Sequence, residues 1–156
     1  MLKTRTTWRE KLERESKIVT IPPKMVKRFG SGKMIIPNPL DVEALIRKVK
    51  KGKLVTQDEI RRRLARDFKV DVTCPITTGI FVRIVAEAAE EDLREGKKQM
   101  IPYWRVIKAD GSLNEKFPGG TKGQTEHLRA EGHIVMPGEG KKPPKVKDFE
   151  KSLQKL

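Results

Sequence analysis

Apolar residues recur at helical spacing in three stretches of the chain. After Asp41, the side chains of Val42, Leu45, Ile46 and Val49 share one face. The run KVKKGK closes that stretch, with lysines in the last turn and Gly52 where a left-handed cap belongs. Thr56-Gln57-Asp58-Glu59 reads as a capping box opening a second helix, which buries Ile60, Leu64 and Phe68 and turns RRRLAR outward. A break over Val70–Thr73 precedes Pro75, which suits the first turn of a third helix with Ile76, Ile80, Phe81, Ile84, Val85 and Ala88 as its apolar positions. MIPYWRVIKADGSL reads as a strand, an Asp110-Gly111 turn and a returning strand. A last helix over about residues 121–131 ends at Gly132.

The flanks are less regular. WREKLERE has the charge spacing of a short solvated helix, and IPPKMVKRFGSGKMIIPNP reads as extended or short helical pieces pinned against a core. The tail has no stable period before Phe149 and Leu153, which are expected to dock. Three helices followed by a hairpin predict an α+β, mainly helical domain of the winged helix-turn-helix type, its third helix entering a groove. It is expected to span 37–136, between a basic N-terminal extension (1–36) and a basic C-terminal tail (137–156).

Composition narrows the class. Hydrophobic and charged residues each make up 36% of the 156, as in a soluble globular protein. No stretch approaches the ~18 apolar residues of a membrane helix. MLKTRTTWREKLERE lacks the apolar centre of a signal peptide, so a cytoplasmic monomer that avoids membranes is expected. Cys74 is the single cysteine, which excludes an intrachain disulfide, and His127 and His133 lie on different helical faces. Four zinc ligands cannot be gathered from these, and no metal or cofactor is expected.

The net charge is +14. Residues 1–36 hold ten Lys/Arg against three Glu, and residues 137–156 hold six Lys against three acids. Charge so placed suits basic arms on a nucleic-acid backbone, without distinguishing DNA from RNA.

From about Asp41 to His133, the pieces GKLVTQDEIRRRLA, RIVAEAA, IPYWRVI, FPGG and LRAEGH follow one another in an order that resembles the C-terminal domain of the alkylguanine-DNA alkyltransferases. The resemblance covers about 95 of the 156 residues. Pro102-Tyr103-Trp104-Arg105-Val106 falls where that family has Pro-Cys-His-Arg-Val, with cysteine as alkyl acceptor and histidine as its activator. Tyr103 therefore replaces the nucleophile and Trp104 the base. A phenol, with a reference pKa near ~10, is a poor acceptor at neutral pH, and an indole cannot transfer a proton. The chain is thus similar to the alkyltransferase-like subgroup, which lacks the cysteine and binds alkylated DNA without repairing it.

The resemblance implies a non-catalytic protein that binds double-stranded DNA and recognises alkylated or otherwise altered bases by nucleotide flipping, marking them for a repair-pathway protein. Gln57 falls where the family places a tyrosine that helps turn the nucleotide out, and Arg83 falls near the arginine that fills the emptied stack. Tyr103, Trp104 and Arg105 are expected to line the pocket, with Glu131 holding the Trp104 indole N–H. Two other readings remain at this point. One is a general nucleic-acid-binding protein with no lesion preference, and the other is an enzyme using Cys74, whose place beside Pro75 at a helix start can lower a thiol pKa. Burial as a small packing residue is the ordinary role of such a cysteine.

Overall fold

Pro22-Pro23, Gly30 and Gly32 cut the first described segment into short pieces. The computed structural model describes residues 15–97 and 100–156; the helix expected over WREKLERE falls on residues that lie almost wholly outside these. Strand β1 (Lys17–Thr20) leads into α1 (Pro23–Phe29), with proline in its first turn, and β2 (Lys33–Ile36) returns antiparallel to β1. Helix α2 (Pro39–Arg47) follows, and its cap is a capping box one turn earlier than expected: the Asn38 side chain accepts from Leu40 N at 2.8 Å, and Asn38 N donates to Asp41.

β3 (Val55–Thr56) runs directly into α3 (Gln57–Asp67), where Thr56 Oγ1 accepts from Glu59 N at 3.1 Å. The linker after α3 contains β4 (Val72–Thr73), which pairs in parallel with β2, so the sheet order is β1-β2-β4. α1 lies on one face of this sheet, where Met25 packs with Ile21, Met34, Val72 and Cys74. α3 lies on the other, and Thr73 Oγ1 donates to the Arg61 carbonyl at 2.7 Å. Cys74 is only 6% exposed, which fits packing rather than reactivity.

α4 (Pro75–Arg94) starts at the expected proline and is the longest helix described. Its core face is Phe81, Val82, Ile84, Val85, Ala86, Ala88 and Ala89, packed against α2 and α3. Ile76 and Ile80, expected inside, are 61% and 51% exposed. They sit seven and three residues before Arg83, on a helical face separate from Phe81 and Val85, with Ile84 at the border between the two.

The expected hairpin keeps its turn but changes partners. Asp110 Oδ1 accepts from Ser112 N at 3.0 Å, and Gly111 has φ 87°. A Cβ on Gly111 would collide with the Phe149 ring, so glycine serves both the turn and the contact. After a 3₁₀ turn at Tyr103–Arg105, β5 (Val106–Ile107) pairs in parallel with β3 rather than with a returning strand. Lys108 N donates to the Ser112 carbonyl across the turn, and the return at 111–113 then bonds to the C-terminal segment: Leu113 N donates to the Pro144 carbonyl and Val146 N to that of Gly111.

α5 (Gly120–Ala130) follows, and β6 (Val135–Met136) pairs with β7 (Lys145–Val146). Phe149 docks as expected, whereas Leu153 docks by its backbone beside Leu54 and leaves its side chain outside. The result is a mixed α+β fold, mainly helical, with α3 and α4 as a helix-turn-helix pair. Among the described residues no helix is long and apolar enough to cross a membrane.

Gln124, 0% exposed, joins three parts of this framework. Its carbonyl accepts from Asn114 N at 2.8 Å, and its amide donates to the Trp104 and Val106 carbonyls, each at 3.0 Å. Gln124→Ala strands one donor and two acceptors in the interior, so it should lower unfolding stability by about 2–4 kcal/mol. Denaturant titration of the variant beside the parent chain measures this.

Candidate nucleic-acid interface

The outward face of α4 borders a cleft of about 760 Å³. Ile76, Ile80 and Arg83 come from α4, and Gln57 enters from the first turn of α3. Lys108, Asn114, Glu115 and Lys116 close the far side from the segment after β5. Gly79 leaves room between the helices: a Cβ there would lie 3.9 Å from Gln57 Oε1. The charged groups are three cations and one carboxylate, over a floor of isoleucine. Such a lining favours an anionic group at the rim and an apolar plane inside. Gln57 and Arg83, assigned from distant parts of the sequence, are thus brought together.

Tyr103, Trp104 and Arg105 are not in this cleft. Tyr103 is 1% exposed and lines no opening. Its hydroxyl donates to Glu90 Oε1 at 2.6 Å, and its ring meets Trp104, Phe117 and His127 edge-on at 5.3–6.0 Å between centroids. Burial, then the Glu90 hydrogen bond and charge, raise its pKa far above that of a free phenol. A buried phenol needs a partner for its proton, and Glu90 on α4 supplies one only if the ring turns inward.

Trp104 stacks on His127 with centroids 4.2 Å apart and planes 11° from parallel. Its indole N–H donates to Glu131 at 2.6 Å, the partner expected from the sequence. Arg105 binds the same carboxylate through Nε and Nη2, the latter at 2.6 Å, and also donates to the Val49 carbonyl. Trp104 and Arg105, with Arg47, Met100 and Pro102, border a separate recess of about 290 Å³. The expected three-residue pocket is therefore divided: one residue is sealed in the core and two face another recess.

Sequence reasoning missed Ile76, Ile80, Lys108, Asn114, Glu115 and Lys116 as lining residues. The isoleucines left a signal: α4 carries more apolar positions than one buried face accommodates. The loop residues left none, because their placement depends on the buried Gln124. Among the described residues no group of three His, Cys, Asp or Glu side chains is placed to hold a metal.

No protein-family profile and no curated protein sequence matches the chain. Two solved structures do. One is Atl1 of S. pombe in complex with damaged DNA containing O6-carboxymethylguanine, and the other is ATL of S. pombe in complex with DNA. Each is 18% identical, with a TM-score of 0.54, over 76% of this chain and 94% of that chain. This chain has the alkyltransferase-like fold. The shared fold is what the residues between Asp41 and His133 imply, and it appears despite low identity.

Two groups near the 3₁₀ turn make alkyltransferase-like folding here sensitive to acid. Burial lowers the His133 pKa, against the pull of Glu131, and its Nε2 is buried without a hydrogen-bond partner. Burial tends to raise the Glu131 pKa, but the hydrogen bonds from Arg105 and Trp104 outweigh it and the net shift is downward. Both groups take up protons more readily unfolded than folded, so stability falls with pH below about 6.5 for the histidine and again below about 4.5 for the glutamate. Melting temperatures across pH 4–8 should show the decline, and His133→Asn should flatten its upper limb. Trp104→Ala should lower stability by roughly 2 kcal/mol or more, the low side of truncating an aromatic, because the ring is half-buried.

Proposed function

We propose that the protein binds duplex DNA through α3 and α4 and receives a displaced nucleotide in the cleft beside Arg83, without transferring an alkyl group. The observation that carries this reading is the convergence of Gln57 and Arg83 on one open cleft at the exposed face of α4. A base leaving the duplex sacrifices a few kcal/mol of stacking, and a side chain that enters the gap offsets part of that loss. Arg83 is exposed, long and cationic, suited both to that gap and to neighbouring phosphates. The apolar floor of Ile76, Ile80 and Ile84 offers a surface for a base plane, and Asn114, Glu115 and Lys116 offer donors and acceptors for its edge.

The two S. pombe proteins were solved with DNA, one of them with damaged DNA, which favours DNA over other polyanions as the partner. Alkyl transfer requires a nucleophile, and the side chain at the acceptor position is a buried neutral phenol whose O–H donates a hydrogen bond to Glu90. Recognition without repair leaves an altered base marked for another repair protein. A general nucleic-acid-binding reading keeps the same surface but omits the lesion preference, and one experiment separates them.

Anisotropy titrations should use two duplexes that differ only in one O6-alkylguanine. The parent chain is expected to prefer the alkylated duplex, and a radiolabel on the alkyl group is expected to stay on the DNA. Arg83→Ala should weaken binding to both duplexes by about 1–3 kcal/mol, while Gln57→Ala should reduce the preference between them. Equal affinity for both duplexes would leave the general reading, and stoichiometric label on the protein would overturn the absence of transfer.

A further inference from the structure

The β1-α1-β2 unit is fixed to the helix-turn-helix at its linker. Cys74, the cap residue of α4, donates its backbone N–H to the Ile35 carbonyl at 3.0 Å, and Met34 and Ile35 register with Val72 and Thr73. Asp71 holds the unit from the same linker. Its N–H donates to the Lys33 carbonyl at 3.1 Å, and its carboxylate accepts from Lys33 N at 2.8 Å. Gly32, at φ 138°, lies so close to that carboxylate that a Cβ would displace it. The unit is thus a rigid extension of the residues that launch α4.

Its surface is strongly basic. Residues 17–36 contain Lys17, Lys24, Lys27, Arg28 and Lys33, and no Asp or Glu. All five are exposed. α1 packs Met25 inward, leaves Phe29 half-buried and exposes Lys24, Lys27 and Arg28. The arginines of α3 differ: Arg61, Arg62 and Arg63 are each paired within the helix, to Asp58, Glu59 and Asp67, and Arg66 donates to the Leu156 carbonyl. Among the described residues no carboxylate pairs with the five cations of the unit; Lys33 Nζ reaches the Thr20 hydroxyl, and Arg28 lies over the Phe29 ring. Their charge is therefore available to an external anion.

Adjacent strands lie about 4.8 Å apart, so β1 is about 10 Å from the linker. That distance matches about three base-pair rises of 3.4 Å. Lys17 stands on β1 itself, and Lys24, Lys27 and Arg28 stand on α1, which joins β1 to β2. We infer that the β1-α1-β2 unit is a second phosphate-binding surface, which lengthens the DNA footprint on the linker side of α4. This rests on the DNA-binding reading above and adds a fixed clamp to it. The unit acts through charge and placement, reading no sequence.

The test uses the full chain with Lys24→Gln, Lys27→Gln and Arg28→Gln combined, since deleting the unit would remove the partner of β4. The three side chains are exposed, so the melting temperature should hold within the small range of surface substitutions. Binding to a plain duplex, measured against salt concentration, should become less salt-dependent. The slope of log affinity against log salt should fall by about 0.9 for each phosphate the variant no longer neutralises, or about 1–3 in all. Low-salt affinity should fall at least about tenfold, a loss of about 1.4 kcal/mol. Duplexes lengthened one base pair at a time should also show the parent gaining affinity over a few pairs that the variant does not exploit. A parent chain that binds no duplex would overturn this inference and the DNA-binding reading together. Parent binding with an unchanged slope and length dependence in a folded variant would overturn this inference alone.

Discussion

The side-chain amide of Gln124 holds together segments that do not hold themselves. The β3–β5 ladder has two registered pairs, far short of a sheet that is stable alone. The 3₁₀ turn at Tyr103–Arg105 leaves the Trp104 carbonyl in need of a donor, and the loop at Asn114 leaves an N–H in need of an acceptor. One neutral amide supplies both, without the desolvation penalty of an ion. The position of Asn114, Glu115 and Lys116, and with it one wall of the large cleft, therefore depends on a buried residue of α5 that does not itself line the cleft.

Two carboxylates decide how the Tyr103–Arg105 turn is used. Glu90 accepts the phenol hydrogen bond and draws Tyr103 into the core, while Glu131 gathers the indole N–H and the guanidinium. The two rings meet edge-on, and His127 stacks on Trp104 while meeting Tyr103 by its edge. Tyr103 thus fills its own position, and the larger open space belongs to α4, α3 and the 114–116 loop.

The helices and their starts were legible because local chemistry decides them. Thr56 and Pro75 act within a turn of their own position, and the core faces of α2 and α3 follow from apolar period alone, although α2 starts at Asn38, a turn before the expected Asp41. The hydrogen bond between Trp104 and Glu131 was legible through the resemblance, as was the placement of Gln57 and Arg83 at helix positions. What escaped was non-local. The return at 111–113 found its partner at 144–146, a choice that no two-residue turn encodes. Ile76 and Ile80 satisfied the helical period yet face outward, since period fixes a face but not what covers it. Tyr103 has the residue type of a pocket wall, and only the fold brings Glu90, thirteen residues earlier, to accept its hydrogen bond and seal it inside.

The linker of the helix-turn-helix is also a rung of a sheet, with α1 on one side and α3 on the other. In a linker free of such pairing, the angle between two helices adjusts through a few backbone dihedrals. Here a change of that angle would break the β2–β4 bonds and the Asp71 contacts to Lys33. The two helices therefore behave as one stiff body, and adaptation in any complex falls to the partner. A duplex seated on this surface would have to bend or open to fit, so the ease with which a given DNA sequence deforms would enter its affinity even where no side chain touches a base.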